Sequence, residues 1–283
     1  MTDHSLEHTR IPCPVGTFDA IAAGPEDGRQ VLLLHGFPQA SMQWTHQVAA
    51  LGAAGYRAVA PDQRGYSPQV RPERVEDYRM SELVADVLAM ADSLGWRRFD
   101  LVGHDWGSAV AWTVAAEHPE RVRTLTAVSV PHPTGFAQAR KEDPDQELRS
   151  RYITVFQRAG EAERRLLADN ATALRRVFEW KVPPSHVDEY VARMSEPGAL
   201  TAALNWYRAM KYGERVGPVA VPTLYVWSTE DSAVGSTAAL GNEKWVTGSY
   251  RFEMLEDVSH WIPEEAADAL TGLILEHLAA HSG

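Results

Sequence analysis

The chain has 283 residues, 45% hydrophobic and 23% charged, the balance of an ordinary globular protein with room for a large core. A net charge of −11 with no basic cluster argues against a nucleic-acid or anionic-membrane surface. The lone Cys13 cannot form an internal disulfide, the polar segment Met1 to His8 has no signal-peptide core, and no run is apolar for the ~18 residues of a membrane helix, so a cytoplasmic protein is expected.

Val31 to His35 reads as a buried strand ending at Gly36. Trp44 to Ala54 reads as a helix closed by Gly55, and Tyr56 to Ala60 as the next strand. Ser81 to Leu94 is an amphipathic helix, with Ser81 as expected N-cap and Gly95 as stop. Phe99 to Val102 is a short buried strand. Ser108 to Ala116 is small, apolar and helix-compatible, and Val122 to Val130 is a further strand. Alternation of this kind predicts an α/β fold, a mostly parallel sheet with helices on both faces.

The pattern breaks at Pro131-His132-Pro133. From there to about Gly217 the signatures are helical, with Glu161 to Arg176, Val187 to Met194 and Ala199 to Met210 the clearest. Such an insertion is too long for a simple connection. Strands resume at Pro222 to Trp227 and Tyr250 to Leu255, and Pro263 to His281 reads as a terminal helix. The expected organisation is a core of residues 1–132 and 218–283 with a helical cap, 133–217, over the strand ends where such folds bind ligands.

Gly103-His104-Asp105-Trp106-Gly107 has the form of a nucleophile elbow, a strained strand-to-helix turn between glycines. The usual serine is replaced by Asp105. A carboxylate there attacks an electrophilic sp³ carbon and forms an alkyl ester of the protein, instead of accepting an acyl group. The bland alternative is an ordinary turn with an incidental aspartate.

An ester on Asp105 must then be hydrolysed, which needs a base and a group to orient it. In this fold the acid and then the histidine follow the nucleophile in the chain. Asp231, just past the strand ending at Trp227, and His260, just past the last strand, fit that order. Glu230 is the rival acid, and Asp257 lies before His260 in its turn. His35, His104 and His132 flank the expected site but are more simply loop-packing residues. The other histidines fall in exposed-looking segments.

His35-Gly36-Phe37-Pro38 follows the first long buried strand, where the fold places a second oxyanion donor. The backbone N–H groups of Phe37 and Trp106 are expected to converge on the ester oxygen, with Pro38 fixing the turn and able to do so through a cis bond.

The combination HGFP at 35–38, APDQRGYS at 60–67, GHDWG at 103–107, SVPHP at 129–133, LNWYR at 204–208 and SHW at 259–261 resembles the α/β-hydrolase-fold epoxide hydrolases, relatives of the haloalkane dehalogenases. The resemblance covers nearly all of residues 30 to 275. It implies two cap tyrosines that hydrogen-bond the epoxide oxygen; Tyr207 matches one and Tyr152 resembles the other. Independently of the family, opening an epoxide creates an alkoxide, which a phenol can stabilise and protonate. Cap packing is the plain alternative for both, with Tyr190 and Tyr212 the lesser candidates.

The expected pocket wall is His35, Pro38, Trp106, Trp206 and Trp261, with Phe18, Trp44 and Trp180 as core or wall. The expected reaction converts an apolar epoxide and water to a vicinal diol without metal or cofactor, in a monomer or homodimer with no nucleic-acid or membrane partner. Two alternatives remain. A haloalkane dehalogenase would use the same aspartate, with Trp106 as a halide donor; Phe37 offers it nothing, and fluoroacetate-type dehalogenases carry arginine where this chain has Trp106. A non-catalytic hydrolase-fold binding protein would have no need of Asp105, Asp231 and His260 together.

Overall fold

The computed structural model describes residues 6–210 and 215–282. In chain order the first half carries β1 (Glu7–Cys13), β2 (Gly16–Ala23), β3 (Arg29–Leu34), α1 (Thr45–Ala53), β4 (Tyr56–Pro61), α2 (Met80–Ser93), β5 (Phe99–His104), α3 (Trp106–Glu117) and β6 (Val122–Val128). Six helices follow among the described residues: α4 (Pro133–Glu142), α5 (Pro144–Arg149), α6 (Arg151–Phe156), α7 (Glu161–Val177), α8 (Pro184–Met194) and α9 (Ala199–Arg208). The chain returns through β7 (Thr223–Glu230), α10 (Ser236–Leu240), β8 (Tyr250–Ser259), α11 (Ile262–Glu265) and α12 (Ala267–Ala280).

The eight strands form one sheet in the order β1-β2-β4-β3-β5-β6-β7-β8. From β4 to β8 all neighbours are parallel, whereas β1 and β2 add an antiparallel edge. The apolar run of β3 has a simple cause. Leu32 and Leu34 pack into the cluster containing Val110 and Val114 of α3, while Val31 and Leu33 pack with Val48 of α1 and Ile274 of α12. A strand covered on both faces needs apolar residues at every position, not at alternate ones.

Several sequence expectations need revision. The β1–β2 hairpin was not anticipated, because β1 is exposed along most of its length and shows little apolar signal. Helix α2 begins at Met80, so Ser81 lies inside it, and no side chain caps its N-terminus. Segment 161–176 is broken: Ala168 is extended, and Asp169, Asn170 and Ala171 have positive φ. The last helix is divided at Ala266. No helix among the described residues is long and apolar enough to cross a membrane.

Candidate active site

Asp105 stands between β5 and α3 with φ 52° and ψ −118°, a conformation disfavoured for any residue with a Cβ. The neighbouring glycines make the turn possible. A Cβ on Gly107 would collide with the Leu34 carbonyl, and one on Gly36 would collide with the Asp105 side chain. The nucleophile loop and the loop after β3 therefore touch through glycine backbone.

This closeness brings the Phe37 N–H to 2.8 Å from Asp105 Oδ1, where it donates a hydrogen bond. Trp106 opens α3, so its N–H belongs to the first helical turn, whose donors have no intrahelical acceptor. The helix N-terminus also favours negative charge on Asp105. The Phe37–Pro38 peptide is cis.

His260 is buried and faces two carboxylates. Its Nδ1 lies 3.0 Å from Asp231 Oδ1, and its Nε2 lies 3.6 Å from Asp105 Oδ2. Burial opposes charge on the imidazole, but Asp231 and then Asp105 prevail and lift its pKa to about 10. The reciprocal effect outweighs burial at both carboxylates, and Asp105 and Asp231 are held below the usual carboxylate range.

Asp231 also accepts the backbone N–H groups of Ala233 and Val234, at 2.8 and 2.9 Å, so it closes its own turn while facing the histidine. The rival acids Glu230 and Asp257 are exposed. One member of this cluster was missed in the sequence. The Ser129 hydroxyl donates to Asp231 Oδ2 at 2.6 Å and lies 2.9 Å from His260 Nδ1. No spacing rule points to it; only the fold of the turn after β6 does.

Above Asp105 lies a largely apolar cavity of about 160 Å³. Trp106, Ala109 and Thr113 of α3 form its floor. Pro133, Phe136, Ala137 and Arg140, one face of α4 at helical spacing, form a side wall. Tyr152 and Ile153 of α6 and Trp206 and Tyr207 of α9 close it from above. Among the described lining residues only Asp105 and Arg140 are charged.

The rings of Tyr152 and Tyr207 meet edge to face, with centroids 6.1 Å apart. Trp106 packs edge to face on Tyr207 at 5.1 Å and on Trp206 at 5.6 Å. Burial first, then for Tyr152 the charge of Asp105 and for Tyr207 the neighbouring Tyr152, raise both phenol pKa values far above the ordinary tyrosine range. Both side chains are therefore hydrogen-bond donors at neutral pH.

Three expected wall residues do not line this cavity. His35 is fully buried, with Nδ1 bonded to the Gly36 carbonyl and Nε2 accepting the Gln63 N–H; burial lowers its pKa to about 4. Pro38 is buried in the loop after β3. Trp261 sits behind His260 and packs on Phe178, with ring centroids 4.9 and 4.8 Å away. Trp180, expected as core or wall, is 83% exposed. Tyr190 donates to Glu264 at 2.8 Å, and Tyr212 lies outside the described residues.

The Glu264 side chain is buried, at 2% exposure. Besides Tyr190 of α8 it accepts a hydrogen bond from Gln39, in the loop after β3, and His186 of α8 stands 3.4 Å away.

The chain matches the alpha/beta hydrolase fold family over residues 30–267. It is 35% identical to the AB hydrolase superfamily protein YfhM of Bacillus subtilis, covering 93% of this chain and 94% of that protein. It is 32% identical to Epoxide hydrolase A of Mycobacterium tuberculosis, covering 91% and 92% of the two chains. The chain belongs to the α/β-hydrolase-fold epoxide hydrolase family. Among solved structures, one described as a novel epoxide hydrolase from metagenomes of hot environments superposes with a TM-score of 0.87 at 29% identity, covering 98% of this chain and all of that one.

Proposed function

We propose that this epoxide hydrolase family member hydrolyses apolar epoxides to vicinal diols through an ester on Asp105. The observation that carries the reading is the placement of two protonated phenols, Tyr152 and Tyr207, in the same apolar cavity as the Asp105 carboxylate. We read residues 133–217 as the cap that supplies the phenols and residues 1–132 and 218–283 as the core that supplies the other groups.

An ionised Asp105 oxygen attacks one epoxide carbon, and the C–O bond to the ring oxygen breaks. The oxygen leaves as an alkoxide and takes a proton from a phenol. Asp105 is now a neutral ester, so one of the two charges that held the His260 proton is gone. The imidazolium then releases that proton, which closes the inventory for the phenol, and the neutral ring becomes a base.

Water attacks the ester carbonyl as His260 takes its proton. The oxyanion that forms is met by the N–H groups of Phe37 and Trp106. Collapse of this intermediate breaks the ester bond, the alcohol leaves with the proton from His260, and the carboxylic acid left on Asp105 gives its own proton to the now neutral imidazole, which restores the carboxylate and the imidazolium. Asp231 keeps Nδ1 protonated throughout, so that Nε2 is the atom that exchanges protons.

The test is a matched panel of aryl and alkyl epoxides and the corresponding haloalkanes. Diol formation well above halide release is the expected result. Faster halide release would assign Asp105 to dehalogenation instead.

A further inference from the structure

Ser129 follows β6 with φ 66°, in the left-handed region that favours glycine. Its backbone is pinned there. The Ser129 N–H donates to the Val226 carbonyl at 2.8 Å, and its carbonyl accepts the Tyr225 hydroxyl at 2.7 Å. The side chain is fully buried. The unusual turn aims the hydroxyl into the gap between Asp231 and His260.

We infer that Ser129 is a positioning residue: by donating to Asp231 Oδ2 it sets how firmly that carboxylate holds the His260 proton, and so how readily His260 acts in ester hydrolysis. The inference rests on the roles assigned to Asp231 and His260 above.

The donor count supports it. Asp231 Oδ1 already takes two backbone N–H groups and faces Nδ1 at 3.0 Å. At 2.6 Å, the Ser129 hydroxyl is the short contact on Oδ2. Each added donor spreads the carboxylate charge and weakens its pull on the imidazolium. The other groups around the pair are Asp105 on Nε2, His104, whose Nε2 donates to the His260 carbonyl at 2.9 Å, and Arg149, which donates to the Asp231 carbonyl at 2.6 Å. Tyr152 and Tyr225 also feel the Asp231 charge. None of these is a side-chain donor to Asp231 Oδ2 in place of the serine.

Ser129→Gly is the informative variant. Glycine accepts φ 66° without strain, so the hydroxymethyl group is lost with no added backbone cost. Ser129→Ala keeps the backbone cost and serves as the second variant. Both are measured in single turnovers that separate alkylation of Asp105 from ester hydrolysis, and the His260 imidazole is titrated by NMR in the same proteins.

The expected result has three parts. Alkylation stays within about twofold. Hydrolysis at pH 7 slows about tenfold, and the deficit shrinks at higher pH. The imidazole midpoint moves up by about one unit, equivalent to that tenfold change. An unmoved midpoint, or equal loss in both half-reactions, overturns the role of Ser129. If the parent forms no ester on Asp105 the reaction assigned above fails on its own, and the NMR titration still decides whether Ser129 controls the imidazole proton.

Discussion

The Nε2 atom of His260 stands 3.6 Å from Oδ2 of Asp105. A buried imidazole thus faces the carboxylate that, in the proposed reaction, it helps to regenerate. The raised pKa of about 10, against an ordinary 6.5, makes this pair an imidazolium and a carboxylate in the resting protein. Because the folded value lies above the unfolded one, the pair's contribution to stability is fully present below about pH 6.5 and is lost as pH rises through about 10. Asp105→Asn, a neutral stand-in for the ester, should lower the His260 midpoint and flatten the fall in stability across that window. NMR titration with melting curves from pH 6 to about 10.5 checks both; identical midpoints would show that Asp105 does not control the proton.

Asp105→Ala should reduce epoxide turnover by about 10⁴-fold or more, since no other carboxylate lines the cavity among the described residues. Diol formation within about tenfold of the parent would mean that covalent attack by Asp105 is wrong.

His260→Gln should trap the ester. Asp105 is ionised without the imidazole's chemistry, so alkylation survives, whereas water attack loses its base. The expected trace is a burst of about one equivalent followed by a stall, with a protein mass increased by that of the substrate. Peptide mapping should place the adduct on Asp105. A folded variant that shows neither burst nor mass gain would move His260 to an earlier step.

Tyr207→Phe should slow ring opening and leave hydrolysis of a preformed ester nearly unchanged. Tyr152 faces the same cavity, so it partly substitutes, and Tyr152→Phe with Tyr207→Phe should cost far more than either change alone. Ring opening at the parent rate in the double variant would leave both tyrosines as packing residues.

Gly36→Ala should lower activity by about a hundredfold, because the new methyl group occupies the position of the Asp105 side chain. Gly272→Ala, in α12 with nothing near the added methyl, is the control and should retain full activity. Equal activity in the two variants would show that the loop after β3 yields without disturbing the elbow.

What was legible in the sequence was local. GHDWG and HGFP carry their turn chemistry in adjacent residues, and the apolar runs of β3 and β5 announce a doubly covered parallel sheet. Asp231 is preferred over Glu230 from the sequence, but spacing separates two adjacent residues only weakly, and it is the turn that buries Asp231 and leaves Glu230 exposed. Ser129 was invisible for a related reason: its aim depends on a positive φ that the serine itself disfavours. His35, Pro38 and Trp261 were assigned to the cavity from their proximity to the motifs in sequence, but loop side chains have no periodicity that tells inside from behind. The break at Ala168 in α7 likewise leaves no glycine or proline to announce it.

Glu264 lies four residues after His260, and its carboxylate is shared by Gln39 from the loop that holds Phe37 and by Tyr190 of α8. Lifting α8 would strip that buried charge of a donor, at about 1–3 kcal/mol for the lost partner. The segment after His260, the loop that holds Phe37 and helix α8 are thereby moored to a single anchor. Tyr152, Tyr207 and Arg140 lie on α6, α9 and α4, outside that anchor, so the groups proposed to meet the substrate and those proposed to meet the water hang on different supports.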